Sequence, residues 1–201
     1  HTVPCENARY RVALLDFGIK ENIVRRLHEA GCEVMICPYD TPAADILARR
    51  PDGIMLSNGP GDPADNTGVI EELKTLLASG VPLFGICLGH QLLALAAGFR
   101  TAKLKYGHRG GNQPARETAT GRVYITSQNH GYAVLTDTVD PEIAAVSFDN
   151  CNDRTCEGLS YLRAPAFTVQ FHPEAAAGPQ DTAFLFGRFT ALMDAHRTED
   201  N

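Results

Sequence analysis

Cys87 stands between two glycines at equal spacing in the run Pro82-Leu-Phe-Gly-Ile-Cys-Leu-Gly-His-Gln91. The apolar residues that follow Pro82 read as a buried strand, and His90, Leu92, Leu93, Leu95 and Ala96 read as the start of a helix with an apolar face. Cys87 then falls on a sharp strand-to-helix turn, where Gly85 and Gly89 let the two backbone arms approach. Such an elbow lifts the sulfur out of the sheet, toward a helix N-terminus that stabilises a thiolate. It also turns the next backbone N–H toward a developing oxyanion. The chemistry this suits is nucleophilic attack by sulfur; a buried core cysteine is the competing reading of the same residue.

A thiol of ordinary pKa, about 8.5, is mostly protonated at neutral pH, so a nucleophilic cysteine needs a base. His172 ends an apolar strand and is followed by Pro173 and Glu174. Proline holds the preceding residue extended, and in an extended segment positions 172 and 174 project to one side. The expectation is a triad with Cys87 as nucleophile, His172 as general base and then acid, and Glu174 fixing the tautomer and orientation of the ring. His90 is the rival base, but in the first turn of the elbow helix a packed structural histidine is the better reading. An α/β-hydrolase places its acid before its histidine, whereas here the acid follows it by two residues.

The elements that must position these residues alternate. Strands are expected over residues 11–16, 32–37, 53–57 and 82–87, with helices over 20–30, from Pro42 to about 49 with Thr41 as cap, and over 67–79. Alternation without hairpin turns predicts an α/β fold, an open, mostly parallel twisted sheet with helices on both faces, flavodoxin-like. The stiff loop Asn58-Gly-Pro-Gly-Asp-Pro63 leaves the third strand on the same edge as Cys87, where ligand crevices form, although an ordinary turn has the same composition. It lacks the Gly-Lys-Ser/Thr ending of a phosphate loop. Beyond Gly98 the pattern loosens. Residues 103–114 read as a polar, glycine-rich loop, residues 128–132 as a turn, and residues 122–126, 133–135 and 142–148 as short strands, some antiparallel. Residues 158–162 and 166–171 supply the last strands, and 181–196 a closing helix packed through Leu185, Phe189, Leu192 and Met193.

A chain of 201 residues, 44% hydrophobic and 21% charged, suits one compact domain over residues 11–197, after a linker or leading strand over 1–10 that could be the remnant of a preceding domain, and before a tail over 198–201. The charge of −6 argues against a general nucleic-acid binder, and no apolar stretch approaches the roughly 20 residues of a membrane span. A cytoplasmic location is the default. Lys103, Lys105, His108 and Arg109 form the one basic cluster, read as a solvated loop and, second, as a loop facing a partner. Cys32 and Cys37 point to opposite faces of one strand, and Cys151 and Cys156 sit in a polar loop without a second pair nearby, so no metal site is expected and all cysteines but Cys87 read as reduced and structural.

Gly85-Ile-Cys-Leu-Gly-His-Gln91 together with Gln170-Phe-His-Pro-Glu174 resembles the class I, triad-type glutamine amidotransferases. Asp16-Phe-Gly-Ile-Lys-Glu-Asn22, Leu56-Ser-Asn-Gly-Pro-Gly-Asp-Pro63, Gly107-His-Arg-Gly-Gly-Asn112 and Ser127-Gln-Asn-His-Gly-Tyr-Ala133 resemble, within that family, the glutamine-hydrolysing small subunits of carbamoyl-phosphate synthetases. The resemblance implies that Cys87 attacks the side-chain amide of L-glutamine, that the N–H groups of Gly59 and Leu88 form an oxyanion hole, and that Gly61, Gln91, Asn129, Gly131 and Tyr132 hold the substrate. It further implies that ammonia passes to a large synthetase subunit, where ATP, Mg and bicarbonate are used for pyrimidine and arginine synthesis, with no cofactor in this chain. Such small subunits carry an additional N-terminal domain, which lends the glutamine site a serine and the partner interface part of its surface. Gln113 stands where the family commonly has histidine. An amidotransferase domain of an anthranilate or GMP synthase, and a non-catalytic module on the same fold, are the alternative readings.

Overall fold

The computed structural model describes residues 1–175 and 182–199. In chain order the first half runs β1 (Thr2–Val3), β2 (Tyr10–Asp16), α1 (Glu21–Glu29), β3 (Cys32–Pro38), α2 (Ala43–Ala48), β4 (Gly53–Leu56), α3 (Thr67–Ala78), β5 (Leu83–Ile86) and α4 (Leu88–Ala96). The second half runs β6 (Thr101–Glu117), β7 (Val123–Val134), β8 (Ala144–Asn150), β9 (Cys156–Tyr161), β10 (Ala166–Val169) and α5 (Phe184–Glu199). These strands form one sheet in the order β1-β3-β2-β4-β5-β10-β9-β8-β6-β7. From β3 to β10 neighbours are parallel, and from β10 to β7 they are antiparallel. The fold is therefore the expected open α/β sheet, with the parallel strands at its centre and antiparallel strands from the C-terminal half.

Alternation along β2 shows why helices cover both faces. Val12 and Leu14 pack with Ile23 and Leu27 of α1 and with Leu185, Phe189 and Met193 of α5. Ala13 and Leu15 pack with Ile46 of α2, Leu73 and Leu76 of α3, and Leu92 of α4. Cys32 and Cys37 of β3 divide between the same two cores. Of the segment 1–10, Thr2–Val3 pairs antiparallel with β3 and Tyr10 opens β2. Residues 198 and 199 of the expected tail continue α5, while 200–201 and the expected helix start at 181 lie outside the described residues.

Four expectations are corrected. Helix α2 begins at Ala43, one residue late, because Thr41 turns its hydroxyl back to the Pro38 carbonyl (2.7 Å) and Glu72 of α3 instead accepts the Ala43 N–H (2.7 Å). Cys156 lies in strand β9 and is buried, not in a polar loop. The stretch 103–114 is no loop and 128–132 no turn: they pair as β6 and β7, with His108 opposite His130 and Arg109 opposite Asn129. Gly107 and Gly110, at φ of 70° and 105°, stand where that ladder shifts register, so glycines that read as loop are bulge residues inside a strand.

The elbow is built by backbone approach. A Cβ on Gly89 would lie 2.5 Å from the Leu56 carbonyl oxygen and 2.6 Å from its Cβ, so α4 can lean on β4 only if residue 89 has no side chain. One turn in, His90 is fully buried with Nδ1 2.7 Å from the Thr168 hydroxyl of β10. Burial, helped by nearby His130, pushes its pKa down to about 3.

Gly89→Ala is expected to cost about 2–4 kcal/mol, a fall in Tm of roughly 5–15 °C, whereas Gly68→Ala, at an exposed position in the first turn of α3 with nothing near its would-be Cβ, is neutral or gains up to ~1 kcal/mol. Thermal melts of both variants check the contrast; equal effects would mean the elbow is not tightly packed. For His90, the unfolded chain takes up a proton below pH about 6.5 while the native chain stays neutral until about 3. Its stabilising contribution is therefore present above 6.5 and lost as pH falls. Denaturant midpoints measured from pH 7 to 4 should fall more steeply for the native sequence than for His90→Gln, and parallel slopes would show that His90 protonates in the folded state.

Candidate active site

Cys87 joins β5 to α4 at φ 54° and ψ −104°, a region that side-chain-bearing residues rarely occupy and that costs roughly 1–3 kcal/mol. The surrounding backbone holds it there. Its N–H donates to the Val169 carbonyl (2.9 Å), its carbonyl accepts from the Gln91 N–H (3.2 Å), and the Gly89 N–H donates to the Ser57 carbonyl (3.1 Å). The sulfur is presented at the carboxyl edge of the parallel strands, with little of it open to solvent.

His172 follows β10, and its N–H donates to the Ser127 carbonyl of β7 (2.9 Å). Its Nδ1 lies 2.7 Å from Glu174 Oε1, as the shared side of positions 172 and 174 predicts. Burial disfavours charge on this ring, but hydrogen bonds with Cys87 and Glu174, and their negative charge, outweigh it and raise the pKa to about 9. The Asn22 amide of α1 donates to the Glu174 carbonyl, tying the turn to the opposite helix. Sulfur, imidazole and carboxylate thus form one connected line. Such a line can pass a proton between sulfur and ring while the carboxylate holds the ring in place. His90 faces away into the sheet, on Thr168, as a packed histidine.

Two loops meet beside the sulfur. The Asp16 carboxylate accepts from the Gly18 and Ile19 N–H groups (3.0 and 2.9 Å), and Ser57 and Asn58 bond the same loop through the Phe17 N–H (2.9 Å) and the Gly18 carbonyl (3.0 Å). Gly59 is pressed against this brace: a Cβ there would collide with the Phe17 carbonyl and meet Leu88 Cδ2 at 2.8 Å. Among the described residues no acceptor takes the N–H of Gly59 or of Leu88. The Leu88 side chain itself points into the core.

A cleft of about 400 Å³ opens from Cys87, and Gly59, Gly61, Gln91, Asn129, Gly131 and Tyr132 all line it. A smaller recess of about 240 Å³ reaches His172 past Asn58 and Pro60. Gln91 spends its amide N–H groups on the Tyr132 carbonyl (2.8 Å) and Gln170 Oε1 (2.9 Å), so only its oxygen is left for a ligand. Asp62, in the loop expected at the crevice edge, also lines the cleft, as do Lys103, Arg109 and His130, which sequence reasoning does not assign to it. By sequence Lys103 and Arg109 read as a solvated loop and His130 as part of a turn. Their signal appears only when β6 and β7 are paired. Burial pushes the pKa of His130 down to about 4, against a hydrogen bond to the Tyr132 carbonyl that favours its charge.

The family described as glutamine amidotransferase class-I matches residues 13–192. Among similar proteins, a carbamoyl phosphate synthase small chain of Syntrophotalea carbinolica is 54% identical over 189 residues, 94% of this chain and 50% of that one. Another, from Bacillus cereus (strain ZK / E33L), is 52% identical over 196 residues, 98% of this chain and 53% of that one. The chain thus spans about half the length of these relatives. A solved Thermoplasma acidophilum structure, described as a GMP synthase subunit, superposes with a TM-score of 0.82 over 95% of this chain and 97% of that one at 20% identity, a likeness of fold alone. The family match takes in the parallel sheet, the elbow and the His172–Glu174 turn together, and the chain belongs to the class I glutamine amidotransferases.

Proposed function

We propose that this chain hydrolyses the side-chain amide of L-glutamine and supplies the ammonia to a large synthetase subunit that makes carbamoyl phosphate. The observation that carries the reading is the buried line from Cys87 through His172 to Glu174, with the sulfur at a strained elbow and Nδ1 of the ring 2.7 Å from its carboxylate. In the first step the Cys87 sulfur, its proton held on His172, attacks the amide carbon, and the oxyanion faces the Gly59 and Leu88 N–H groups. His172 then protonates the leaving nitrogen, the C–N bond breaks and ammonia departs, leaving a thioester. A water that loses its proton to His172 attacks the thioester, the C–S bond breaks and glutamate leaves, and the sulfur is again beside a protonated His172.

The cleft suits an amino acid. Asp62 and the Lys103 and Arg109 cations offer opposite charges for an ammonium and a carboxylate, and Gln91, Asn129, Gly131 and Tyr132 line the same cleft as the sulfur. The identity to carbamoyl phosphate synthase small chains supports that synthetase over the anthranilate and GMP enzymes as the partner's class. In this reading ATP, Mg and bicarbonate belong to the large subunit, the product serves pyrimidine and arginine synthesis, and no catalytic step draws on a cofactor held by this chain. The location is cytoplasmic, in keeping with six free cysteines, and neither nucleic acid nor membrane is a partner; no helix among the described residues is long and apolar enough to cross a membrane.

Cys87→Ser should abolish ammonia release from glutamine while leaving the circular dichroism spectrum and Tm near those of the native sequence, because one ionisable atom is lost and little volume. Retained turnover would remove the triad assignment. Glu174→Ala is expected to lose roughly 10- to 100-fold less kcat than His172→Ala, since holding a ring matters less than moving its proton; equal losses would mean that Glu174 does more than orient. Ammonia release measured with and without a carbamoyl-phosphate synthetase large subunit, ATP and bicarbonate tests the coupling, and a rate indifferent to that partner means that coupling needs the N-terminal domain of such small subunits or a different synthase.

A further inference from the structure

We propose that His108, His130 and Glu157 form a binding site for one divalent transition-metal ion of the Zn²⁺ type, set behind the wall of the cleft. Strands β6, β7 and β9 bring the three side chains together, all are buried, and their ligating atoms lie within 4.8 Å of one another. His108 and His130 face each other across the β6–β7 ladder with ring centroids 5.0 Å apart and planes at 87°. His108 Nδ1 stands 3.3 Å from Glu157 Oε1. That is about the edge of a tetrahedron whose metal–ligand bonds are near 2.0–2.1 Å.

The outer nitrogens are held as metal-ligating histidines usually are, by an acceptor on the far side of the ring. His108 Nε2 is 2.7 Å from Asp153 Oδ2, and His130 Nδ1 is 2.7 Å from the Tyr132 carbonyl oxygen. With those N–H groups spent outward, the inward nitrogen of neutral His130 presents a lone pair, and that of His108 presents one once it gives up the proton it holds toward Glu157. His130 Nε2 lies 2.8 Å from Gln128 Oε1, and that oxygen cannot be exchanged for the amide nitrogen, which already donates to Glu157 Oε2 (2.7 Å) and the Thr126 hydroxyl (3.0 Å). Neutral imidazole carries a single N–H, so at this contact an acceptor meets an acceptor. His108 Nδ1, also buried, makes only the long contact with Glu157 Oε1, 3.3 Å away. A cation between these atoms satisfies the His130 and His108 nitrogens and Glu157 at once, with Gln128 Oε1 as a fourth ligand. Two imidazoles and one carboxylate favour zinc-like ions over Mg²⁺ or Ca²⁺. The ion takes the place of the proton that His108 otherwise holds between Asp153 and Glu157, so binding releases a proton.

The test uses the 201-residue chain, cleared of metal with a chelator and titrated with Co²⁺ as a spectroscopic probe and Zn²⁺ as its competitor, in the absence of glutamine. One Co²⁺ per chain is expected, with the visible bands of tetrahedral nitrogen and oxygen ligation, no near-ultraviolet sulfur-to-cobalt band, and displacement by one equivalent of Zn²⁺. Glu157→Gln and His108→Gln should each weaken Zn²⁺ binding more than tenfold, and Asp153→Asn, which only orients His108, by roughly 10- to 100-fold. A sulfur band, or Zn²⁺ affinity unchanged in Glu157→Gln, would assign the ion to cysteine and overturn the site, as would the lack of stoichiometric Co²⁺ binding. The spectrum of the native sequence decides without any variant, and because no glutamine is present its failure leaves the glutaminase reading untouched.

Discussion

The active-site half of this molecule depends on one backbone contact, the approach of Gly89 at the start of α4 to Leu56 at the end of β4. With a side chain at residue 89 the helix would have to lift, and three things would move with it. The Gly89 N–H would leave the Ser57 carbonyl, the Leu88 N–H would swing away from Gly59, and Cys87 would relax from its unfavourable dihedrals. The strain at Cys87 is thus a consequence of packing helix on strand. It is offset by the hydrogen bonds that also place the sulfur.

Electrostatics then sorts the histidines by what each one touches. His90 and His172 are both nearly inaccessible to water, and burial alone would keep both rings neutral. His90 meets only a hydroxyl, and its pKa falls to about 3. His172 meets a carboxylate and a thiol, and its pKa rises to about 9 despite the same burial. The difference comes from Cys87 and from Glu174, two residues further along an extended segment, and not from solvent exposure. A ring that holds a proton next to sulfur can transfer it; a ring that resists protonation cannot serve as its receiver.

Much of this was legible in the residues. Strands β2 to β5 carry continuous apolar runs because both their faces are covered, and the helices between them carry clear stripes, so their order and direction follow from pattern. The elbow and the His172-Pro-Glu174 turn are local, and local geometry is what a sequence encodes most directly. Strands β6 and β7 are different. Along β7 Tyr124, Thr126, Gln128 and His130 are buried while Val123, Ile125 and Asn129 are exposed, so the alternation is intact in burial but inverted in polarity. Polar residues sit inside because they bond one another and Glu157 of a strand distant in sequence. Periodicity finds the two ends of β7, in the strands expected over 122–126 and 133–135, but reads its polar middle as a turn, and bulge glycines in β6 hide the strand it pairs with.

That hidden pair of strands matters to the site more than the ease of reading the parallel half suggests. The elbow supplies the sulfur, but the Ser127 carbonyl of β7 holds the His172 backbone, and the Tyr132 carbonyl of the same strand holds both Gln91 and His130. Asn129, Gly131 and Tyr132 form one wall of the cleft and Lys103 and Arg109 of β6 extend it. Because these contacts run through backbone carbonyls, they are insensitive to most side-chain substitutions in β7 and sensitive to a slip in its register. A one-residue shift would exchange the buried and exposed faces of the strand, turning His130 outward and Asn129 inward together. The buried polar network of Gln128, His130, His108 and Glu157 opposes that shift, since none of its members can leave without abandoning a buried partner. The polar core that obscures β7 in the sequence is therefore also what keeps its cleft-lining residues in place beside Cys87.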